Sequence, residues 1–148
     1  MDIARLCLLA QFVSTLYMTG VIWYVQVVHY PLFSRVGSAV FAEYEASHCS
    51  LTTMVVAPAM LIEAFSAVLF IRFHPAGIKD SEAAAGAALV MLIWIATALF
   101  SIPYHKQLAA GFAIAAHNNL CRLNWIRTVA WTGRSALLGY WLLRLLPS

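Results

Sequence analysis

The sequence has few charged residues and no run of them. Only 10% of its 148 residues are Asp, Glu, Lys or Arg, and the nine Lys and Arg residues are scattered along the chain. Nucleic-acid-binding proteins carry a concentrated basic patch or stripe. The formal net charge of +3 therefore does not indicate a nucleic-acid partner.

The sequence motifs of several common enzyme classes are also missing. The chain contains no glycine-rich nucleotide loop, no serine nucleophile elbow and no His-Glu-x-x-His zinc motif. Its three cysteines, Cys7, Cys49 and Cys121, form no Cys-x-x-Cys pair. We interpret them as isolated thiols packed among apolar side chains.

Apolar residues are abundant instead. They make up 63% of the chain, and its mean hydropathy is +0.82. Four apolar stretches, 6–28, 51–73, 83–103 and 125–146, each approach the ~20 residues that a membrane-spanning helix needs. They are too long for barrel strands, and backbone groups in lipid must be satisfied internally. The sequence predicts an all-α bundle of four transmembrane helices, a single integral membrane domain in the lipid bilayer, with the first stretch retained as a helix.

Ionisable residues fall at matching ends of these stretches. His29 closes the first, Glu45 and His48 open the second, and His105 closes the third. We therefore expect these four side chains to meet at one membrane face. Imidazole suits iron, copper or zinc. The pattern predicts a transition-metal site with His29, His48 and His105 as ligands and Glu45 as a fourth ligand or an acceptor that orients one. A haem between two of the histidines is an alternative.

Other polar residues flank this predicted site. Tyr30 and Tyr104 each adjoin a histidine and are candidate donors of hydrogen bonds or protons. Asn124 and Arg127 are candidates for binding the polar part of a substrate. The competing interpretation is that these residues are ordinary interfacial anchors and interhelical hydrogen-bonding groups.

Two charged residues lie deep within predicted spans. Glu63 is near the middle of the second and Arg134 near the middle of the fourth. Either charge alone in lipid costs at least ~3 kcal/mol, so a mutual ion pair is expected. The pair is either purely structural or steers a polar substrate or a proton.

A faint internal repeat relates the two halves of the chain. His29 precedes Glu45 by the same spacing as His105 precedes Cys121, at an offset of 76 residues from His29 to His105. This correspondence predicts two related helix pairs.

Two short motifs carry a family resemblance. They are Pro103-Tyr104-His105-Lys106-Gln107-Leu108 after the third span and Leu123-Asn124-Trp125-Ile126-Arg127-Thr128 opening the fourth. Together they resemble small four-helix membrane proteins of the anthrone-oxygenase-like family, where Pro-Ile-Asn-x-x-Leu and Asn-x-x-Arg are typical. The resemblance implies a four-helix membrane fold, oxygenase-type chemistry and the cytoplasmic membrane of a bacterium.

The first half departs from that family pattern. Gln26-Val27-Val28-His29-Tyr30-Pro31 and Glu45-x-x-His48 look like a divergent branch, and His105 replaces the usual Asn. These departures favour a metal over cofactor-independent chemistry.

The resulting functional prediction is an integral membrane oxidoreductase of the oxygenase type, acting on a lipophilic small molecule that enters from the bilayer. Two alternatives stay open. One is a metal-ion or proton carrier that uses the polar groups between the helices as its path. The other is a non-catalytic membrane assembly subunit. The sequence leaves homo-oligomerisation open.

Overall fold

A computed structural model describes residues 2–146, which form helices joined by short loops and contain no strand. The all-α prediction is confirmed for these residues. The helices are α1 (Ile3–Tyr24), α2 (Tyr30–Leu32), α3 (Phe41–Phe73), α4 (Asp80–Ala96), α5 (Ile102–Leu108) and α6 (Ile114–Leu145).

The four long helices form a ring in which each packs against two others. Helix α1 contacts α3 and α6, and α4 also contacts α3 and α6. Apolar side chains fill two separate clusters inside the ring. One surrounds Phe33, Phe41 and Trp131, and the other surrounds Phe70 and Trp141. Buried polar groups lie at one end of the bundle and between the two clusters.

The first helix does not end at Pro31, as the predicted span 6–28 implied. A π-helical segment, Val25–His29, follows α1, and the chain continues through α2 into a short 3₁₀ turn at Phe33–Arg35. The Tyr30 N–H bonds to the Val25 carbonyl, five residues back. Proline inside an α-helix clashes with the carbonyl of the preceding turn. The wider π turn relieves that clash, so the helix passes through Pro31.

The third helix repeats this arrangement. A second π-helical segment, Thr97–Ser101, follows α4, and the Ile102 N–H bonds to the Thr97 carbonyl just before Pro103. This segment begins 72 residues after the first one. The order of elements therefore repeats, but four residues away from the offset that the histidines and acids suggested. Four residues is about one helical turn, so His29 and His105 are not at equivalent positions.

Three helical stretches are long and apolar enough to cross a membrane: Ile3–Arg35, Phe41–Phe73 and Asp80–Leu108. Each is longer than the span predicted at the same place. The helices extend beyond the apolar runs because their polar ends pack against the rest of the bundle. The residues of the fourth predicted span that the structure describes lie within α6, which does not meet the same criterion.

Arginines lower the hydropathy of α6, but the two central ones point inward. Arg127 and Arg134 are 8% and 0% exposed, respectively. The outer face of the helix is apolar, with Val129 64% and Leu143 70% exposed. A surface of this kind covers the other long helices too, as at Met54 in α3. Contiguous exposed apolar surface on this scale is not typical of soluble monomers.

Candidate functional site

The N-terminal part of α3 meets the ends of α1–α2 and α4–α5, and this junction brings the predicted site residues together. His29 Nε2 lies 2.8 Å from His48 Nδ1. The rings of His48 and His105 are 5.2 Å apart between centroids. His105 in turn contacts the fully buried Glu45. We call His29, Glu45, His48 and His105 the polar cluster.

Glu45, His105 and Tyr30 form a hydrogen-bonded chain across three helices. His105 Nδ1 lies 2.5 Å from Glu45 Oε1, and His105 Nε2 lies 2.9 Å from the Tyr30 hydroxyl. An ionised carboxylate can only accept, so with Glu45 ionised Nδ1 carries the proton and Nε2 accepts from the phenol. An acid–imidazole–hydroxyl chain of this kind suits the removal and return of a hydroxyl proton.

His29 and His48 form a second, parallel contact. Besides His29 Nε2, the Thr52 hydroxyl lies within reach of His48 Nδ1, at 3.1 Å. Both contacts are satisfied when Nδ1 of a neutral His48 accepts and its proton sits on Nε2. This arrangement leaves the Nε2 edge of His48 without an internal partner, close to the cavities described below.

One group of side chains has metal-ligand spacing. Donor atoms of Glu45, Cys49 and His105 all lie within 4.8 Å of one another. Cys49 had been interpreted as a packing thiol, but its Sγ is 3.5 Å from Glu45 Oε1. The signal in the sequence was its position four residues after Glu45, which places both side chains on one helical face.

The donor set suits a transition metal after a small rearrangement. Thiolate, imidazole and carboxylate together fit zinc, iron or copper. Ligand atoms sharing a tetrahedral ion at about 2.0–2.3 Å lie roughly 3.3 Å apart, so Glu45 and His105 must separate by about 1 Å. Glu45 Oε2 is buried and has no hydrogen-bond partner among the described residues. A haem fits less well, because the His29 and His48 rings already touch.

Two cavities open on either side of α3 at the polar cluster. One, of about 740 Å³, lies between α1 and α3, and the other, of about 380 Å³, lies between α3 and the α4–α5 segment. His48 and Thr52 line both of them. His29 lines the first, while Tyr30, His105 and Arg127 line the second.

The remaining predicted residues divide between this site and its surroundings. Arg127 lines the smaller cavity, but Asn124 bonds to Gln26 Oε1, at 2.9 Å. Tyr104 packs against the apolar cluster around Phe33, and no hydrogen bond between described residues ties it to the polar cluster. Tyr30 therefore holds the contact to His105 that was considered for either tyrosine.

His117 is a contributor that the sequence did not reveal. It lay in the predicted loop between the third and fourth spans, but the structure places it in the first turn of α6. Its Nε2 lies 2.8 Å from the Tyr30 carbonyl and 3.5 Å from Cys121 Sγ. A carbonyl only accepts, so Nε2 donates, and this bond fixes the backbone that carries Tyr30.

Glu63 and Arg134 form a buried ion pair farther along the bundle. Arg134 Nε lies 2.8 Å from Glu63 Oε1, and both side chains are fully buried. The guanidinium also donates to the Gly86 carbonyl, at 2.5 Å, and to Gln11 Oε1, at 2.6 Å. Glu63 accepts two further bonds, one from Thr15 and one from Trp131. We call these six residues the central network.

Comparison with known proteins finds no family model, no curated protein and no solved structure that matches this chain. The site is therefore interpreted from its own geometry and chemistry.

Proposed function

We propose that this protein is a membrane-embedded oxidoreductase of the oxygenase type that acts on a lipophilic substrate at a transition-metal centre. The observation that carries the proposal is the donor set Glu45–Cys49–His105, whose ligand atoms lie within 4.8 Å of one another. Iron, copper or zinc suits these ligands. The oxygenase class comes from the resemblance of the motifs around His105 and Asn124 to the anthrone-oxygenase-like family.

A four-span bilayer topology goes with this proposal. Three helical stretches already have the length and composition of spans. The fourth span is α6, because its two central arginines are satisfied inside the bundle and its outer face is apolar. Intramembrane charges are tolerated where they face the bundle interior and have partners.

The substrate reaches the polar cluster sideways from the lipid. Both cavities lie between helices whose outer surfaces are apolar, and both end at His48 and Thr52. Ligand sites are mostly apolar with a few convergent polar groups, as these cavities are. A substrate dissolved in the bilayer therefore meets the polar groups without entering water.

The protein's own residues would position and exchange protons. A bound metal supplies Lewis-acid or redox chemistry. Tyr30 donates a proton to a substrate or takes one from it, and His105 and Glu45 hold the other end of that chain. His48 presents its Nε2 edge where the two cavities meet.

Metal content and absorption of the detergent-purified protein test the proposal. We expect about one equivalent of iron, copper or zinc in the unaltered chain, and a loss of about 10-fold or more in affinity in Cys49→Ala and Glu45→Gln, since both supply ligand atoms. Cys121→Ala is the matched control, because its thiol contacts His117 instead. Metal-free protein, or equal metal content in all of these variants, overturns the metal centre.

A carrier for protons or metal ions is the second candidate. The observation in its favour is that two hydrogen-bonded chains, Glu45–His105–Tyr30 and His29–His48–Thr52, lie side by side at the cavities. Ion or proton flux into proteoliposomes carrying the purified protein would support it. Retention of that flux in His48→Leu would count against the path.

A further inference from the structure

Arg127 is a buried cation without an acidic partner among residues 2–146. Its Nη1 donates to Ser101 Oγ, at 2.7 Å, and its guanidinium lies 5.2 Å from the Trp131 ring centroid. The Nε atom is buried and has no hydrogen-bond partner. Removing a charge from water without pairing it is costly. The other central arginine of α6, Arg134, is instead neutralised by Glu63.

The cavity beside Arg127 has a one-sided charge pattern. Arg127 and Lys106 both line the smaller cavity, and no Asp or Glu is among the side chains that form its wall. The acid of this region, Glu45, is fully buried and directs Oε1 at His105. A ligand in this cavity meets two cations, and electrostatic complementarity therefore favours an anion.

The size and remaining surface of the cavity limit the kind of anion. At about 380 Å³ it is near the lower end of the range for ligand sites, which suits a single-chain molecule better than a two-chain phospholipid. Apolar side chains complete its wall, among them Val56 and Ile102. A guanidinium binds a carboxylate through two parallel N–H bonds.

We infer that the cavity between α3 and the α4–α5 segment binds a single-chain lipophilic carboxylic acid, with the carboxylate on Arg127 and the chain toward the lipid. Ser101, the last residue of the second π-helical segment, holds the guanidinium in place. The inference goes beyond the proposed oxidation and does not require a metal.

A matched pair of ligands tests this inference on the full-length protein in detergent. Calorimetric titration with decanoate and with decanol compares molecules that differ mainly in the head group. We expect decanoate to bind about 10-fold tighter or more, as a charge-assisted hydrogen bond would give. Equal affinity for the acid and the alcohol overturns the inference, and this arm needs no variant.

Variants then locate the anion. Arg127→Gln should abolish the preference for decanoate, whereas Arg122→Gln, an exposed arginine on the same helix, should retain it. Retention of the preference in a folded Arg127→Gln protein would overturn the assignment. Metal content measured on the same samples separates this result from the metal centre, since Arg127 is not a donor in that set.

A lipid arm distinguishes the source of the anion. The protein is placed in nanodiscs of neutral phosphatidylcholine or of phosphatidylcholine with phosphatidylglycerol, and decanoate binding is measured again. Unchanged decanoate affinity is expected, because a two-chain phospholipid exceeds the cavity. Displacement of decanoate by phosphatidylglycerol would show a headgroup site and overturn the carboxylic-acid assignment.

Discussion

The bundle contains two buried polar regions that differ in how completely their groups are paired. In the central network, both Glu63 oxygens accept hydrogen bonds, and all three guanidinium nitrogens of Arg134 donate. In and beside the polar cluster, Glu45 Oε2 and Arg127 Nε have no partner among the described residues. Cavities open next to the second region.

This difference separates a stabilising region from one available for ligands. Buried polar groups are normally hydrogen-bonded, so unpaired ones need an explanation such as a ligand, an ion or a catalytic role. The central network joins α1, α3, α4 and α6 and leaves nothing free for a substrate. The polar cluster keeps donor and acceptor atoms beside an accessible space.

The largest expected effect comes from breaking the central network. Arg134→Met leaves Glu63 as an uncompensated buried charge, which should lower the free energy of unfolding by about 3–5 kcal/mol. Equilibrium unfolding in mixed micelles measures this change.

Two matched variants accompany that measurement. Arg122→Met removes an exposed arginine from the same helix and should leave the unfolding free energy nearly unchanged. The double variant Glu63→Leu/Arg134→Met should recover part of the lost stability, because no lone charge remains. Equal stability of Arg134→Met and Arg122→Met would show that the network is not stabilising.

A smaller effect is expected at the glycine that lets Arg134 reach α4. A Cβ on Gly86 would lie 2.8 Å from the Trp141 ring and 3.4 Å from Arg134 Nη1. Gly86→Ala should cost about 1–3 kcal/mol by overpacking. Gly20→Ala has open space around its new Cβ and should be neutral or slightly stabilising in unfolding assays, since Ala is the better helix former. A reversed order would contradict the packing argument.

The smallest effect on stability is expected in the polar cluster. Glu45→Gln keeps an oxygen that accepts from His105 Nδ1, so only the charge assistance is lost, and the unfolding free energy should change by about 1 kcal/mol. The same variant should lose bound metal, as proposed above. A loss of stability comparable to that of Arg134→Met would place Glu45 in the structural class and remove the contrast between the two regions.

Much of the fold could be predicted because the apolar runs are long and lipid permits few structures. The ends of the helices could not, since hydropathy does not register polar turns that pack inside a bundle. The first eleven residues of α6 include His117 and Asn124 and were assigned partly to a loop for that reason. The π-helical segments before Pro31 and Pro103 depend on local hydrogen-bond register, which side-chain patterns do not encode.

The candidate site was predictable in its members more than in its bonds. The histidines and Glu45 lie at matching ends of apolar stretches, and topology alone brings such ends together. Which atoms touch depends on helix rotation, and one turn of error separates a ligand from a neighbour. Cys49 and Tyr30 therefore emerged only from coordinates, as did the separation of Asn124 from Arg127.

The pairing of Arg134 also imposes an order of assembly on the chain. In a bilayer, α6 by itself would carry an unneutralised guanidinium into hydrocarbon, at a cost of at least ~3 kcal/mol. The groups that accept its hydrogen bonds, on Gln11, Glu63 and Gly86, all belong to helices synthesised earlier. The last helix can settle only into a partner surface formed by its predecessors, so biogenesis of the bundle is directional, from the N-terminus to the C-terminus.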